Sequence, residues 1–360
     1  MELKRNLEYR KICQMMVLIK LLTFPVVVGV AFVTKSYWAL IIGDVAAAFI
    51  FLLMSYFIFP YRPKFSLDNI GQQWKFSKWI LGKGFVGYGR AQIDIILASK
   101  LFGIADLGRL HMIKGFTVIP ATSIVSPLLE PLIAALSTFR KDIDVFSEKV
   151  HYSLVSVIFL ISPIALFTFY YPEYIVEVFL GDKWLHSVLL LHFMSILLFP
   201  MAIGNVLSNA MMSLGKSKSL FLYDVLTLGM VAGFMISLST VTLEKFVLMR
   251  VLLELLVVAI LFGFLSRHIK IFCKRLLSTM LAVYTCGFIS KFLADTVHLK
   301  IDSDNVYVNF LVLVSVFFSI YLILSISYVY ALRNRVKEYR FLFGIFVFLS
   351  NRLIGRKFNE

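Results

Sequence analysis

The sequence predicts an all-α fold: a polytopic membrane protein built from about ten transmembrane helices. Three observations carry that prediction. Of its 360 residues, 60% are hydrophobic and 16% are charged, whereas soluble domains run at roughly 45–50% apolar and about 25% charged. Apolar stretches of about twenty residues, the length that crosses a bilayer core, follow one another along the chain. These stretches are continuous, so they lack the alternating polarity of β-barrel strands. The same composition excludes a disordered tail, a disulfide scaffold and most cofactor-binding α/β enzymes. It leaves a formal net charge of +15 to be placed.

The spans can be taken in order. Residues 12–33 carry Lys20 and Pro25 and have no small-residue cleavage pattern after them, so this helix is expected to stay in the mature chain. Residues 37–59 open on an aromatic pair, Tyr37-Trp38. Residues 76–99 hold Lys83, Arg90 and Asp94. Residues 110–138 contain Lys114 together with Pro120, Pro127 and Pro131; residues 150–170 contain Pro163, and residues 188–212 contain Pro200. Each proline frees a backbone carbonyl, which at membrane depth survives only against protein or water. Residues 219–238 carry Asp224, residues 246–265 carry Arg250 and Glu254, residues 276–294 carry Lys291, and residues 306–329 are almost purely apolar. Phe341 to Leu349 is too short to cross and is expected to rest in the interface, as is the amphipathic segment Tyr171 to Ser187.

Basic residues are retained on the cytoplasmic side. With the amino terminus inside, 22 of the 36 Lys and Arg fall in cytoplasmic segments, six fall outside, and eight lie in or at the ends of spans. Both termini are therefore expected in the cytoplasm. Topology and anionic lipid headgroups account for the positive charge without nucleic acid. No polar connection is long enough to hold a catalytic domain.

Ionisable groups within a bilayer cost roughly 2.5–3.5 kcal/mol on insertion scales, which makes each one a functional candidate. Lys83, Arg90 and Asp94 are seven and four residues apart and share a face with Gly87. Two readings of that face are open: a cationic lining for a phosphate or diphosphate, or an Arg90–Asp94 pair within one helix with Lys83 snorkelling to an interface. Lys114 has no partner at helical spacing. It faces water or an anion, or else its helix starts later and it lies near the surface. Arg250 and Glu254 read as a structural i,i+4 pair. Asp44, Asp94 and Asp224 are candidates for binding a coupling proton or sodium ion, or for hydrogen bonding to a neighbouring helix. Asn205, Ser208 and Asn209 are open to the same two uses, ligand contact or interhelical bonding.

No cofactor and no metal are expected. Cys13, Cys273 and Cys286 are widely spaced, with no CxxC pattern. The six histidines are dispersed without HExxH, and there is no GxSxG, P-loop or dinucleotide fingerprint, so a transporter is favoured over an enzyme.

Several short motifs recur in a particular order: Tyr37-Trp38-Ala39-Leu40, Arg62-Pro63, Asp94-Ile95-Ile96-Leu97, Leu101-Phe102-Gly103, Leu107-Gly108, Pro120, and Phe179-Leu180-Gly181-Asp182-Lys183-Trp184. Over roughly residues 1–265 this ordered set resembles the polysaccharide and O-antigen flippases (lipopolysaccharide biosynthesis proteins, oligosaccharide flippases) of the multidrug/oligosaccharidyl-lipid/polysaccharide exporter superfamily. The resemblance implies a two-lobed exporter-type bundle in the bacterial inner membrane. It implies that undecaprenyl-diphosphate-linked oligosaccharide is moved across the bilayer by alternating access, for O-antigen, capsule or exopolysaccharide assembly. Membrane lipids, a polysaccharide polymerase and a chain-length regulator are the implied partners. Lys83, Arg90 and Lys114 would line the cavity.

By the same resemblance the chain is expected to lack the first four helices. Residues 1–72 would then be the last two helices of an incomplete N-terminal lobe with a cytoplasmic linker, residues 73–268 a six-helix C-terminal lobe, and residues 269–360 an additional helix pair with a basic cytoplasmic tail. The chain would accordingly be a flippase or an inactive or split part of one. Arg109-Leu110 stands where the family carries an aromatic residue. The competing readings are a multidrug exporter of the same superfamily, expected to have an acidic cavity, and a membrane-embedded glycan polymerase or ligase, which would need a large outer loop.

Overall fold

All ten expected spans are helical, and the described residues contain no strand. The computed structural model describes residues 9–36, 38–58, 70–237, 241–270, 273–301, 303 and 305–353. Tyr37, Arg62 and Pro63, and the basic residues Lys4, Arg5, Lys64, Arg356 and Lys357, lie outside the described residues. Among the described residues, eight helical stretches are long and apolar enough to cross a membrane, which makes this a multi-pass membrane protein. The chain divides into two compact units, residues 1–75 and 76–360.

The first unit holds α1 (Tyr9–Thr34) and α2 (Trp38–Ile58) as an antiparallel hairpin. Lys35, at φ 45°, makes the reversal. Met15, Ile19 and Thr23 recur at helical spacing as the buried stripe of α1. Ala39 is buried on α2. Gly43 lies directly against Val27, with no room for a Cβ, so a small residue permits the close approach. The outer faces of both helices are apolar and exposed, as at Leu21, Phe32, Val45 and Phe57.

The second unit begins within α3 (Ile70–Leu101). It continues with α4 (Ile104–Pro120), a π-helical turn (Ala121–Val125), α5 (Ser126–Leu129) and α6 (Leu132–Ser137). One predicted span is thus broken into four pieces, and the prolines explain the breaks. Pro127 and Pro131 cannot donate to the carbonyls one turn back, and the turn widens so that the Ser126 amide and hydroxyl both reach Ala121 O.

α7 (Ile143–Tyr170) starts on Asp142, whose carboxylate accepts from the amides of Asp144 and Val145 at 3.1 Å. It is the central helix, with 61% of its most apolar window buried inside the protein. α8 (Pro172–Leu180) ends on Gly181 at φ 85° and leads into a 3₁₀ segment, Asp182–Ser187. α9 (Val188–Ser195) and α10 (Leu198–Ser213) are one span interrupted ahead of Pro200. Gly215, at φ 75°, closes α10: its own amide bonds Met212 O, and the Lys216 amide bonds Met211 O.

α11 (Ser217–Ile236) and α12 (Leu243–Ser266) complete the group around the site. α13 (Cys273–Ile301), α14 (Val306–Leu332) and α15 (Lys337–Leu353) follow. Gly287 of α13 packs directly on Leu166 of α7. Val283, Phe317, Tyr321 and Leu342 belong to the same apolar core as Leu154, Ile158 and Leu166. α15 docks against α7 and α14, with Phe341 stacked on Tyr152 and Glu338 paired to Arg275 at 3.0 Å. In contrast to these tight contacts, α3 makes only sparse backbone approaches to its neighbours. Space remains beside it.

Candidate functional site

Arg90 and Asp94 share a face of α3, as their four-residue spacing requires, yet they do not pair with each other. The reading of an ion pair within one helix is corrected. Arg90 donates to Asp224 of α11 at 3.4 Å, to the Tyr223 hydroxyl at 3.4 Å and to Glu254 of α12 at 3.1 Å. Asp94 accepts from Lys114 of α4 at 2.9 Å and from Arg250 of α12 at 2.6 Å. Arg250 also donates to Glu254 at 2.7 Å. Partners from other helices win because they offer two carboxylates to Arg90 and two cations to Asp94, satisfying more of each group's bonding capacity than one neighbour could.

The six side chains form an alternating chain of charge, Lys114, Asp94, Arg250, Glu254, Arg90, Asp224, which crosses four helices. Its carboxylates and Arg250 are about a tenth exposed, and Arg90 and Lys114 are each 24% exposed. The expectation that the Lys114 helix starts later is also corrected, because α4 starts at Ile104 and Lys114 lies well inside it. Its ammonium additionally donates to Ala91 O at 2.8 Å.

The chain of charge forms the wall of a cavity of about 570 Å³ between α3, α4, α10, α11 and α12. Lys83 lines the same cavity, acts electrostatically on Asp224 and makes no ion pair among the described residues. His111 and Thr117 line it from α4 and Ser208 from α10. A smaller cavity of about 180 Å³ lies on the far side of Arg90, bounded by Pro200, Asn205, Ser208 and Tyr223. The charged lining is four cations, Lys83, Arg90, Lys114 and Arg250, against three carboxylates, Asp94, Asp224 and Glu254. Among the described residues no cluster of His, Cys, Asp or Glu is arranged to hold a metal ion.

The structure therefore brings Lys83, Arg90, Lys114, Asp94 and Asp224 together. Asp44 belongs to the first unit, where it is exposed on α2, and the cluster is built wholly from the second. Sequence reasoning missed the part played by Arg250, Glu254 and Tyr223. The available signal is that two charged residues of opposite sign stand in the middle of an apolar span, where an i,i+4 pair alone leaves most of their bonding capacity unfilled.

A second polar knot lies at the end of the bundle where α4 and α12 begin. The guanidinium of Arg109 bonds Asp106 at 2.9 Å, His186 O at 2.6 Å, Ser187 Oγ at 3.3 Å and Glu244 at 3.4 Å. Arg109 thus ties three segments together. Nearby, the Tyr171 hydroxyl donates to Asp295 at 2.7 Å. Burial and that carboxylate raise its pKa, so it stays protonated as the donor.

The chain is similar to known proteins in three ways. Residues 1–189 match the polysaccharide biosynthesis protein family. Lipopolysaccharide biosynthesis protein WzxC of Escherichia coli (strain K12) is 22% identical over 171 residues, covering 46% of this chain and 34% of that protein. The chain thus matches about a third of that relative's length. The structure superposes on lipid II flippase MurJ in its inward closed conformation with a TM-score of 0.67 and 14% identity, covering 86% of this chain and 66% of that one. The likeness establishes that the all-helical fold is shared with that structure. The family match includes the whole of α3 and α4, and so Lys83, Arg90, Asp94 and Lys114. With more than half of its length matched, the chain belongs to the polysaccharide biosynthesis protein family.

Proposed function

We propose that the protein takes part in moving a lipid-diphosphate-linked oligosaccharide across the bacterial inner membrane, both termini being cytoplasmic, and that the cavity beside α3 handles the diphosphate. The observation that carries this reading is the alternating ion-pair chain bordering an open cavity with a cationic excess. Membership of a polysaccharide biosynthesis family and the flippase-like fold supply the context.

The physical argument is one of exchange. Bare arginines inside a membrane would be prohibitively costly, so in the unloaded cavity each is held charged and oriented by carboxylates. A diphosphate offers Arg90, Arg250 and Lys114 stronger, bidentate acceptors. Protonation or cation binding at Asp94 and Asp224 would release those bases to the cargo, and Lys83, which has no ion-pair partner among the described residues, would make first contact. The four-to-three charge balance favours an anionic cargo over the cationic drugs of a multidrug exporter. Undecaprenyl diphosphate as the carrier, O-antigen, capsule or exopolysaccharide as the product, and a polymerase and chain-length regulator as partners complete the proposal.

The test is transbilayer movement of a fluorescent lipid-diphosphate-linked oligosaccharide in proteoliposomes holding the full product of the gene that carries this chain. Movement above protein-free vesicles is expected, and Arg90→Gln should slow it without loss of insertion. No movement, or movement indifferent to Arg90, Arg250 and Lys114 substitutions alike, would overturn the reading.

A further inference from the structure

A second cavity, of about 610 Å³, lies at the end of the bundle where α7 gives way to α8, and it shares no lining residue with the charged cavity. Its volume falls within the range of about 300–1,000 Å³ typical of small-molecule sites. Phe169, Tyr170 and Tyr174 present aromatic surface to it, and Glu173, His186 and His192 supply polar groups. The Tyr170 hydroxyl is not hydrogen-bonded, and Glu173 makes no ion pair, among the described residues. The His192 ring lies 4.2 Å from that of Phe169, and its Nδ1 bonds Phe169 O at 2.9 Å. A carbonyl can only accept, so Nδ1 carries a proton, and in the neutral ring Nε2 is left as an acceptor.

We infer that this cavity is a saccharide subsite which holds the glycan of the cargo while its diphosphate occupies the charged cavity; the inference rests on the function proposed above. Aromatic faces against the C–H face of a sugar ring, with a carboxylate, an imidazole acceptor and a free phenol to bond its hydroxyls, are the pairing that an uncharged, amphipathic ring needs. An exposed carboxylate is the wrong group for a phospholipid phosphate. One wall of the cavity, Leu185 and His186, lies in the 3₁₀ segment that Arg109 pins through His186 O. The rigidity of that wall gives the Arg109 knot a role.

The probe is lipid-free oligosaccharide released by mild acid from the producing cell's surface polysaccharide, titrated against the detergent-solubilised protein and read by saturation-transfer NMR. Wild-type protein should bind saturably. Tyr170→Ala and Glu173→Gln should each weaken binding about tenfold, the scale of one lost ring contact or charged hydrogen bond. Tyr170→Phe should keep most of it, which controls for folding. No saturable binding, binding untouched by Tyr170→Ala and Glu173→Gln together, or displacement of the sugar by glycerol phosphate would overturn the subsite. If the sugar binds in this Tyr170-dependent way but proteoliposomes show no lipid movement, the transport reading fails and the subsite stands. Movement without sugar binding gives the converse.

Discussion

The Arg250 guanidinium donates from Nε to Asp94 Oδ1 at 2.6 Å, joining α12 to α3 across the space that backbone packing leaves open. Each group is about nine-tenths buried, and each has a second partner of opposite charge, Glu254 and Lys114. Several consequences of this contact and its surroundings can be measured.

Asp94→Asn leaves two cations facing one neutral amide. Breaking a buried pair from one side costs about 3–5 kcal/mol, so the variant's thermal unfolding in detergent should fall steeply. Asp94→Leu combined with Arg250→Met should recover part of that loss, because one of the two stranded cations is then gone while Lys114 keeps only Ala91 O. Additive losses in the pair would contradict a direct coupling.

Arg90→Lys keeps the charge but not the fork that reaches Asp224, Tyr223 and Glu254 together. Transport should be slowed less than in Arg90→Gln, and the glutamine variant, which strands Asp224, should unfold at the lower temperature. Equal transport in both would show that charge by itself contributes nothing at this position, and wild-type transport in Arg90→Lys would show that the fork is dispensable.

Arg109→Leu removes a hub from the end of the bundle and strands the Glu244 carboxylate. A loss of about 1–3 kcal/mol is expected, and amide hydrogen exchange should quicken in Asp182–Ser187. Unchanged exchange there would mean that the 3₁₀ segment holds its shape without Arg109.

Pro127→Ala with Pro131→Ala restores two backbone donors to the broken α4–α6 run. Exchange across Ala121–Glu130 should slow and thermal stability rise, with transport reduced if bending of this run is part of the cycle. Faster exchange would show that the π-helical turn has causes other than proline.

Gly43→Leu forces a side chain into Val27 at the crossing of α1 and α2. Overpacking of this kind costs about 1–3 kcal/mol, and Val27→Ala in the same chain should return part of it. A neutral Gly43→Leu would mean that the hairpin separates freely.

Much of the architecture was legible in the sequence, because bilayer thickness imposes a length on every span and the prolines of residues 110–138 announce the breaks that the structure displays. The candidate site was half legible. Lys83, Arg90, Asp94 and Lys114 stand on two consecutive helices and were visible as charges at helical spacing. Their true partners were not, since Asp224, Arg250 and Glu254 follow more than a hundred residues later, and Arg250 with Glu254 looked self-sufficient at i,i+4. A one-dimensional pattern registers neighbours at three and four residues and is blind to the helix across the gap.

By itself, then, the sequence determined the solvent, the helices and the presence of intramembrane charge, because each follows from local hydrophobicity and backbone bonding. Only the tertiary structure decided how those charges pair. Desolvated ions seek whichever opposite charges can saturate them, and folding brought those from other helices, so the expected cationic stripe became a balanced alternating chain, with Lys83 as the one positive charge in excess on the cavity wall.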